Sequence, residues 1–148
     1  MKKNVINNDV YYALAWSEIH KYDRFSSSRT LPVLPGIIGL FQNKTNRYVP
    51  LLYFDCWREG LRDGLKNFML PTPRFKALRE LINPEEIYFN YTVAEGPQKD
   101  LKDVLFWLIK TYKPLYNNTE SFSDSGRYKN IFVKELMRSP SDIIEKIP

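Results

Sequence analysis

Apolar positions along this chain change their spacing from segment to segment, and those changes mark out the expected elements. Val10, Ala13, Leu14 and Ser17 recur at helical spacing behind Asp9, a residue suited to an N-cap, which predicts a helix from about Asp9 to Tyr22. Ser26-Ser27-Ser28-Arg29-Thr30 reads as a flexible connection. Two short runs of branched and aromatic residues follow, 37–41 and 51–54, separated by polar residues 42–47 with Asn43 and Asn46 to turn the chain. They predict a β-hairpin. Pro50 places the second run at a strand start or a sheet edge, because proline lacks the N–H that a central ladder uses.

Trp57, Leu61, Leu65 and Phe68 then return to helical spacing. Gly60 and Gly64 weaken that helix by roughly 1 kcal/mol each relative to alanine, or mark its irregular start, and Pro71-Thr72-Pro73 ends it. A second helix is expected from about Arg74 to Ile82, closed by Asn83-Pro84. Ile87, Phe89, Tyr91 and Val93 alternate with Tyr88, Asn90 and Thr92, the period of a half-buried strand. After Glu95-Gly96-Pro97, Leu101, Val104, Leu105, Leu108, Ile109 and Tyr112 share one helical face, widened by Phe106 and Trp107, so cover on more than one side is expected. Residues 118–126 are a polar loop. A last helix is expected over about 130–137, with a turn capped by Ser139 or Ser141.

The pattern contains no internal repeat and no second core. It predicts one α+β domain over residues 1–148: a small antiparallel three-stranded sheet flanked by helices, a helical extension over 1–30, and a polar loop and helix over 118–148. A hydrophobic fraction of 43% with 26% charged residues fits a globular chain. No apolar run has the length of a membrane helix, and a membrane is not an expected partner. Met1-Lys2-Lys3 imitates the start of a signal peptide, but Asn7-Asn8-Asp9 interrupts the apolar stretch, so a cytoplasmic location is expected. Cys56 is the only cysteine, which removes any intrachain disulfide and suits a reducing compartment.

Charge narrows the partner. A net charge of +5 and a pI near 9.2 favour acidic partners, DNA or RNA first. Arg58, Arg62 and Lys66 recur every four residues beside the apolar stripe, and Lys110 and Lys113 lie at the end of the last long helix, so these five are candidate phosphate contacts. Glu59 and Asp63 offset part of that charge. Tyr53 and Tyr88 are candidates for stacking on bases if a sheet face is open. His20, the only histidine, has no Cys or second His near it and reads as an ordinary helix-end residue. Cys56 reads as a small buried hydrophobe.

The order hairpin, helix, helix, strand, helix resembles the GIY-YIG endonuclease domain, in particular the N-terminal cleavage domain of the bacterial excision-repair endonuclease. Leu31-Pro32 through Pro35-Gly36-Ile37-Ile38 stands where that family has its first motif, and Leu52-Tyr53-Phe54-Asp55 where it has its second. Leu61-Arg62-Asp63 falls near its conserved arginine, and Leu108-Ile109-Lys110 with Pro114, Tyr116 and Asn117 matches the end of its final helix. The resemblance covers residues 31–117. It implies metal-assisted phosphodiester hydrolysis, with a glutamate on the last helix holding a divalent cation and two tyrosines and an arginine positioning water and neutralising charge.

The departures fall on those residues. Ile38 replaces the first tyrosine, Asp55 replaces a glycine, Arg62 is one residue out of register, and Leu105 stands at the metal-binding glutamate. Tyr53, Arg62 and Asn117 remain as family-matched positions. The implied protein is a nucleic-acid-associated relative with a degenerate catalytic constellation, which expects no cofactor. The alternatives are an endonuclease whose Mg²⁺ or Mn²⁺ site has moved to Asp55 or Glu95, and a protein-interaction module that keeps only the fold.

Overall fold

The computed structural model describes residues 1–45, 47–69, 76–83, 86–137 and 144–145. The expected hairpin is present. β4 (Gly36–Lys44) and β5 (Arg47–Asp55) pair antiparallel out to Lys44 with Arg47, longer than the apolar runs suggest. β6 (Ile87–Val93) is the expected strand and pairs antiparallel with the other side of β4, but both of its faces are covered, so Asn90 and Thr92 are buried where a half-buried strand would expose them. Pro50 lies on β5, an edge strand, opposite a bulge at Leu40 and Phe41, where a missing N–H breaks no ladder. The two-residue β3 (His20–Lys21) completes a four-stranded sheet in the order β3-β6-β4-β5.

The sheet separates two apolar clusters. On one face Ile38, Leu40, Leu52, Phe54 and Phe89 pack against Leu61, Leu65 and Phe68 of α2 (Gly60–Met69), with Leu78 of α3 (Lys76–Leu81) at the margin. α2 begins at Gly60, so Trp57 and Arg58 precede it, and Trp57 packs toward the opposite cluster. Gly60 has a φ of 81°, and any Cβ there would lie 2.3 Å from the Val33 carbonyl. Gly64 lets the helix approach Cys56, whose Sγ would lie 2.2 Å from a Cβ. The propensity cost of the glycines is the condition for seating α2 on the sheet. The Pro71-Thr72-Pro73 stop, the start of the second helix at Arg74, Pro84, the Asn46 turn and the Ser139 or Ser141 cap lie outside the described residues.

On the other face α4 (Gln98–Tyr112) lays Leu101, Val104, Leu105, Leu108 and Tyr112 against Ile37, Phe41 and Tyr53. Here the two terminal segments correct the expectation. Residues 9–22 and 130–137 are not helices. β2 (Asp9–Trp16) runs between β1 (Lys2–Ile6), antiparallel, and β7 (Asn130–Met137), parallel, in a second sheet that joins the same core. Val10, Tyr12, Leu14 and Trp16 all point inward while Tyr11, Ala13 and Ala15 point outward. Because nearly every residue of β2 is apolar, helical and strand spacing both fit it. The Asn7-Asn8 turn, with Asn7 at a φ of 54°, brings β1 alongside, and pairing with β1 and β7 decides for the strand. In β7, Ile131, Val133 and Met137 alternate with exposed Phe132, Lys134 and Leu136. A short four-residue helix, α1 (Ser27–Thr30), replaces the expected flexible connection.

α4 is held to the terminal sheet by a polar cluster. Asp100 and Asp103, both buried, share Arg127: its Nη2 donates to Asp100 Oδ1 and to Asp103 Oδ2, each at 2.8 Å. Lys3 Nζ and the Tyr12 hydroxyl donate to Asp100 at 2.9 and 3.0 Å, and Ser125 N and Oγ donate to Asp103 at 2.8 and 2.9 Å. Burial opposes the charge of Asp100, but the bonds from Arg127, Lys3 and Tyr12 outweigh it and hold its carboxyl below the usual range. A depressed folded-state pKa contributes stability above the unfolded value near about 4 and loses it as pH falls through the folded value. Thermal unfolding should therefore show stability dropping below about pH 4. Asp100→Asn should cost about 1–3 kcal/mol at pH 7 and flatten that acid limb; an unchanged acid limb would assign it to other carboxylates.

Candidate functional site

Tyr53 and Asn117 do meet, but through the backbone. Tyr53 N donates to Asn117 Oδ1 at 2.8 Å, and Asn117 Nδ2 donates to the Tyr53 carbonyl at 3.0 Å. Beside them Leu115 N and Tyr116 N donate to the carbonyls of Pro50 and Leu51 at 3.2 and 2.9 Å. The segment after α4 thus covers the open edge of β5, and Asn117 acts as a surrogate strand. Lys113, with a φ of 47°, ends α4 and turns the chain toward that edge.

The Tyr53 side chain is 2% exposed and lies among Trp16, Phe41 and Tyr112. Burial, then the nearby Glu135 and Tyr112, push its hydroxyl well above the ordinary tyrosine range. That hydroxyl, the Asn90 amide and the Thr92 hydroxyl are buried without hydrogen-bond partners among the described residues. A group so enclosed cannot orient water on a phosphate. The carboxylate nearest in effect is Glu135 of β7, which accepts from Trp16 Nε1 at 2.9 Å and from the Tyr112 hydroxyl. It is a half-buried acceptor whose partners, Trp16 and Tyr112, lie far from it in sequence and so gave no local signal.

Ile38, at the first motif tyrosine, packs against α2 on the opposite face from Tyr53. A tyrosine there would not join Tyr53. Arg62, also on the α2 side, donates its Nε to the Leu31 carbonyl at 2.9 Å and its Nη2 to the Arg29 carbonyl at 3.4 Å. Its guanidinium ties the chain entering the hairpin to α2. Tyr53 and Asn117 are therefore brought together, while Arg62 is not.

Leu105, 4% exposed, forms part of the floor of a cleft of about 360 Å³ with Leu101 and Phe122, and Asp55, Gln98, Lys99 and Lys102 complete its wall. This is where a cation held from α4 would sit. A hard divalent ion takes about six or more oxygen ligands, whereas this wall pairs one carboxylate with two ammonium groups. The residues do not fit Mg²⁺ or Mn²⁺. Glu95 points elsewhere, 3.9 Å from the Met1 amino nitrogen. Among the described residues no three His, Cys, Asp or Glu side chains converge as a metal site. Asp103, placed about 200° around the helix from Leu105 by helical geometry, does face the other way.

The basic candidates divide between two surfaces. Arg58, Arg62 and Lys66 are exposed on the α2 side. Lys110 and Lys113 are exposed on the α4 side, with Lys110 Nζ 5.6 Å from the Phe106 ring. Phe25, missed in the pattern, is 73% exposed beside α1, with the Arg24 guanidinium 5.0 Å from its ring. Tyr88 lies in a polar hollow with Lys21, Gln42 and Glu86. Cys56 is buried, and His20 sits exposed on β3, 6.1 Å from the Phe89 ring.

A family model described as "Uncharacterised protein" matches residues 1–145, and the chain belongs to that family. Neither the curated proteins nor the solved structures contain a match to it. Among the described residues no helix is long and apolar enough to cross a membrane.

Two substitutions test the packing roles assigned to the motif positions. Leu105→Ala should cost about 2–5 kcal/mol by opening a cavity, read as a shift in the denaturant midpoint. A loss under about 1 kcal/mol would mean that this face of α4 is open. Asn117→Ala should cost about 1–3 kcal/mol by exposing the β5 edge, with increased hydrogen exchange at the Tyr53 amide.

Proposed function

We propose that this member of the family is a nucleic-acid-associated protein with a GIY-YIG-like core whose former catalytic positions serve packing. The order of β4, β5, α2, α3, β6 and α4, and the meeting of Asn117 with Tyr53, support the likeness of the core. The observation that carries the binding role is the basic surface formed by α2 and the segment before it. Arg58, Arg62 and Lys66 are solvent-facing, Arg29 is tied to Arg62 through its carbonyl, and Arg24 lies over exposed Phe25. Exposed guanidinium groups with an aromatic among them suit a phosphate backbone, with Asp63 in the first turn of α2 as a partial offset. In a reducing cytoplasm the buried thiol of Cys56 would stay a packing group.

Binding should be strong at low salt and weaken steeply as salt rises. Arg58→Glu with Lys66→Glu should lower duplex affinity and reduce the slope of log K against log salt by about two. Electrophoretic mobility shift measures both. Plasmid, branched and single-stranded DNA should remain uncut with Mg²⁺ or Mn²⁺. Cleavage that EDTA stops and Asp55→Ala removes would establish a relocated metal site instead. Absence of DNA and RNA binding in low salt would leave the protein-interaction role.

A further inference from the structure

The outer face of the terminal sheet is a second, separate surface. Cross-strand register sets Asn4, Tyr11 and Phe132 in one row and Lys2, Ala13 and Lys134 in the next, with Ala15 and Leu136 beyond. The Tyr11 and Phe132 rings stack with centroids 4.9 Å apart and planes 16° apart, yet remain 40% and 46% exposed. The small side chain of Ala13 leaves a groove of about 510 Å³ between the aromatic pair and the two lysines. No carboxylate lines this groove among the described residues: Glu135 points inward, and Asp9 lies on the same face one row beyond the aromatic pair, where Asn130 Nδ2 donates to it at 3.0 Å.

We propose that this face is a platform for single-stranded nucleic acid, with bases extending the Tyr11–Phe132 stack and phosphates drawn to Lys2 and Lys134. It deepens the nucleic-acid reading by naming a single-stranded ligand, and it stands on residues that the α2 surface does not use. Three features choose this occupant. Two nearly parallel rings present a stack that a third planar ring continues, and base–aromatic stacking is worth about 1–3 kcal/mol per base. Lys2 and Lys134 stand on either side of Ala13 and complement a phosphate on each flank of a stacked base. Unpaired bases are needed, since a duplex keeps its ring faces inside. A second copy docked face to face about the Ala13 row would set Lys2 and Lys134 against the same lysines. A lipid chain gains nothing from parallel rings.

The test uses the full chain, a short single-stranded oligonucleotide labelled with a fluorophore, and fluorescence anisotropy at low salt. The wild type should bind the single strand, and Tyr11→Leu with Phe132→Leu, which keeps apolar bulk but removes the ring faces, should weaken it about tenfold or more. Lys2→Gln with Lys134→Gln should weaken it and flatten its salt dependence. Circular dichroism melting confirms that each variant folds. Duplex binding, read in parallel, should survive the leucine variant and fall in Arg58→Glu with Lys66→Glu, so failure of either surface is seen separately. Single-strand affinity unchanged in the leucine variant overturns the proposal. So does equal competition by polyglutamate, tighter binding to anionic vesicles than to the oligonucleotide, or a dimer in sedimentation that the leucine variant abolishes.

Discussion

One helix carries two sheets in this protein, and the bonds between Arg127 and the buried Asp100 and Asp103 are what make that possible. Two carboxylates within one turn of α4 repel each other and lose water on burial, a combination that is unfavourable unless both are paired. The Arg127 guanidinium bridges them, while Lys3, Tyr12 and Ser125 supply the remaining donors. Those donors come from β1, β2 and the loop before β7, so the charge that α4 buries is also the bond that seats the terminal strands. The opposite side of α4 is wholly apolar and rests on Ile37, Phe41 and Tyr53. α4 is thus held in two ways: apolar contact with both sheets, and ion pairing that adds to it where α4 meets the terminal strands.

That arrangement accounts for the roles of the positions that resemble endonuclease motifs. A working metal site on α4 needs an oxygen ligand at an open cleft, and the terminal sheet instead closes the region around Tyr53 and Tyr112 with Trp16 and Glu135. Leu105 floors the remaining cleft, where one carboxylate faces two lysines. Asn117 saturates the edge of β5. Ile38 belongs to the core beneath α2. Each position has a packing or hydrogen-bonding role that its own neighbours impose.

The two surfaces proposed for binding lie on elements that the core leaves outward. The α2 surface is rich in guanidinium groups and suits a backbone of regularly spaced phosphates. The outer face of β1, β2 and β7 offers stacked rings with flanking ammonium groups, a chemistry suited to exposed bases. Together they would let one chain hold a backbone on one side and an unpaired strand on another.

The sequence by itself determined the central elements, because there each pattern permits one period. Ile87 to Val93 alternates cleanly, Leu101 to Tyr112 repeats at helical spacing, and the hairpin has polar residues between its two apolar runs. Even the burial of Leu105 and Leu108 was legible, since both stand in the middle of the stripe. Residues 9–16 carry no such instruction: with apolar side chains at almost every position, the helical and strand periods both fit. Only the tertiary structure chose between them, by providing strand partners from the first residues and from 130–137 and a covering helix on one side. The same choice stacked the rings of Tyr11 and Phe132, which come from distant parts of the chain and become neighbours only across a parallel ladder. Local spacing reports what one segment can bury, whereas the stacking of two rings depends on which strand the fold sets beside it.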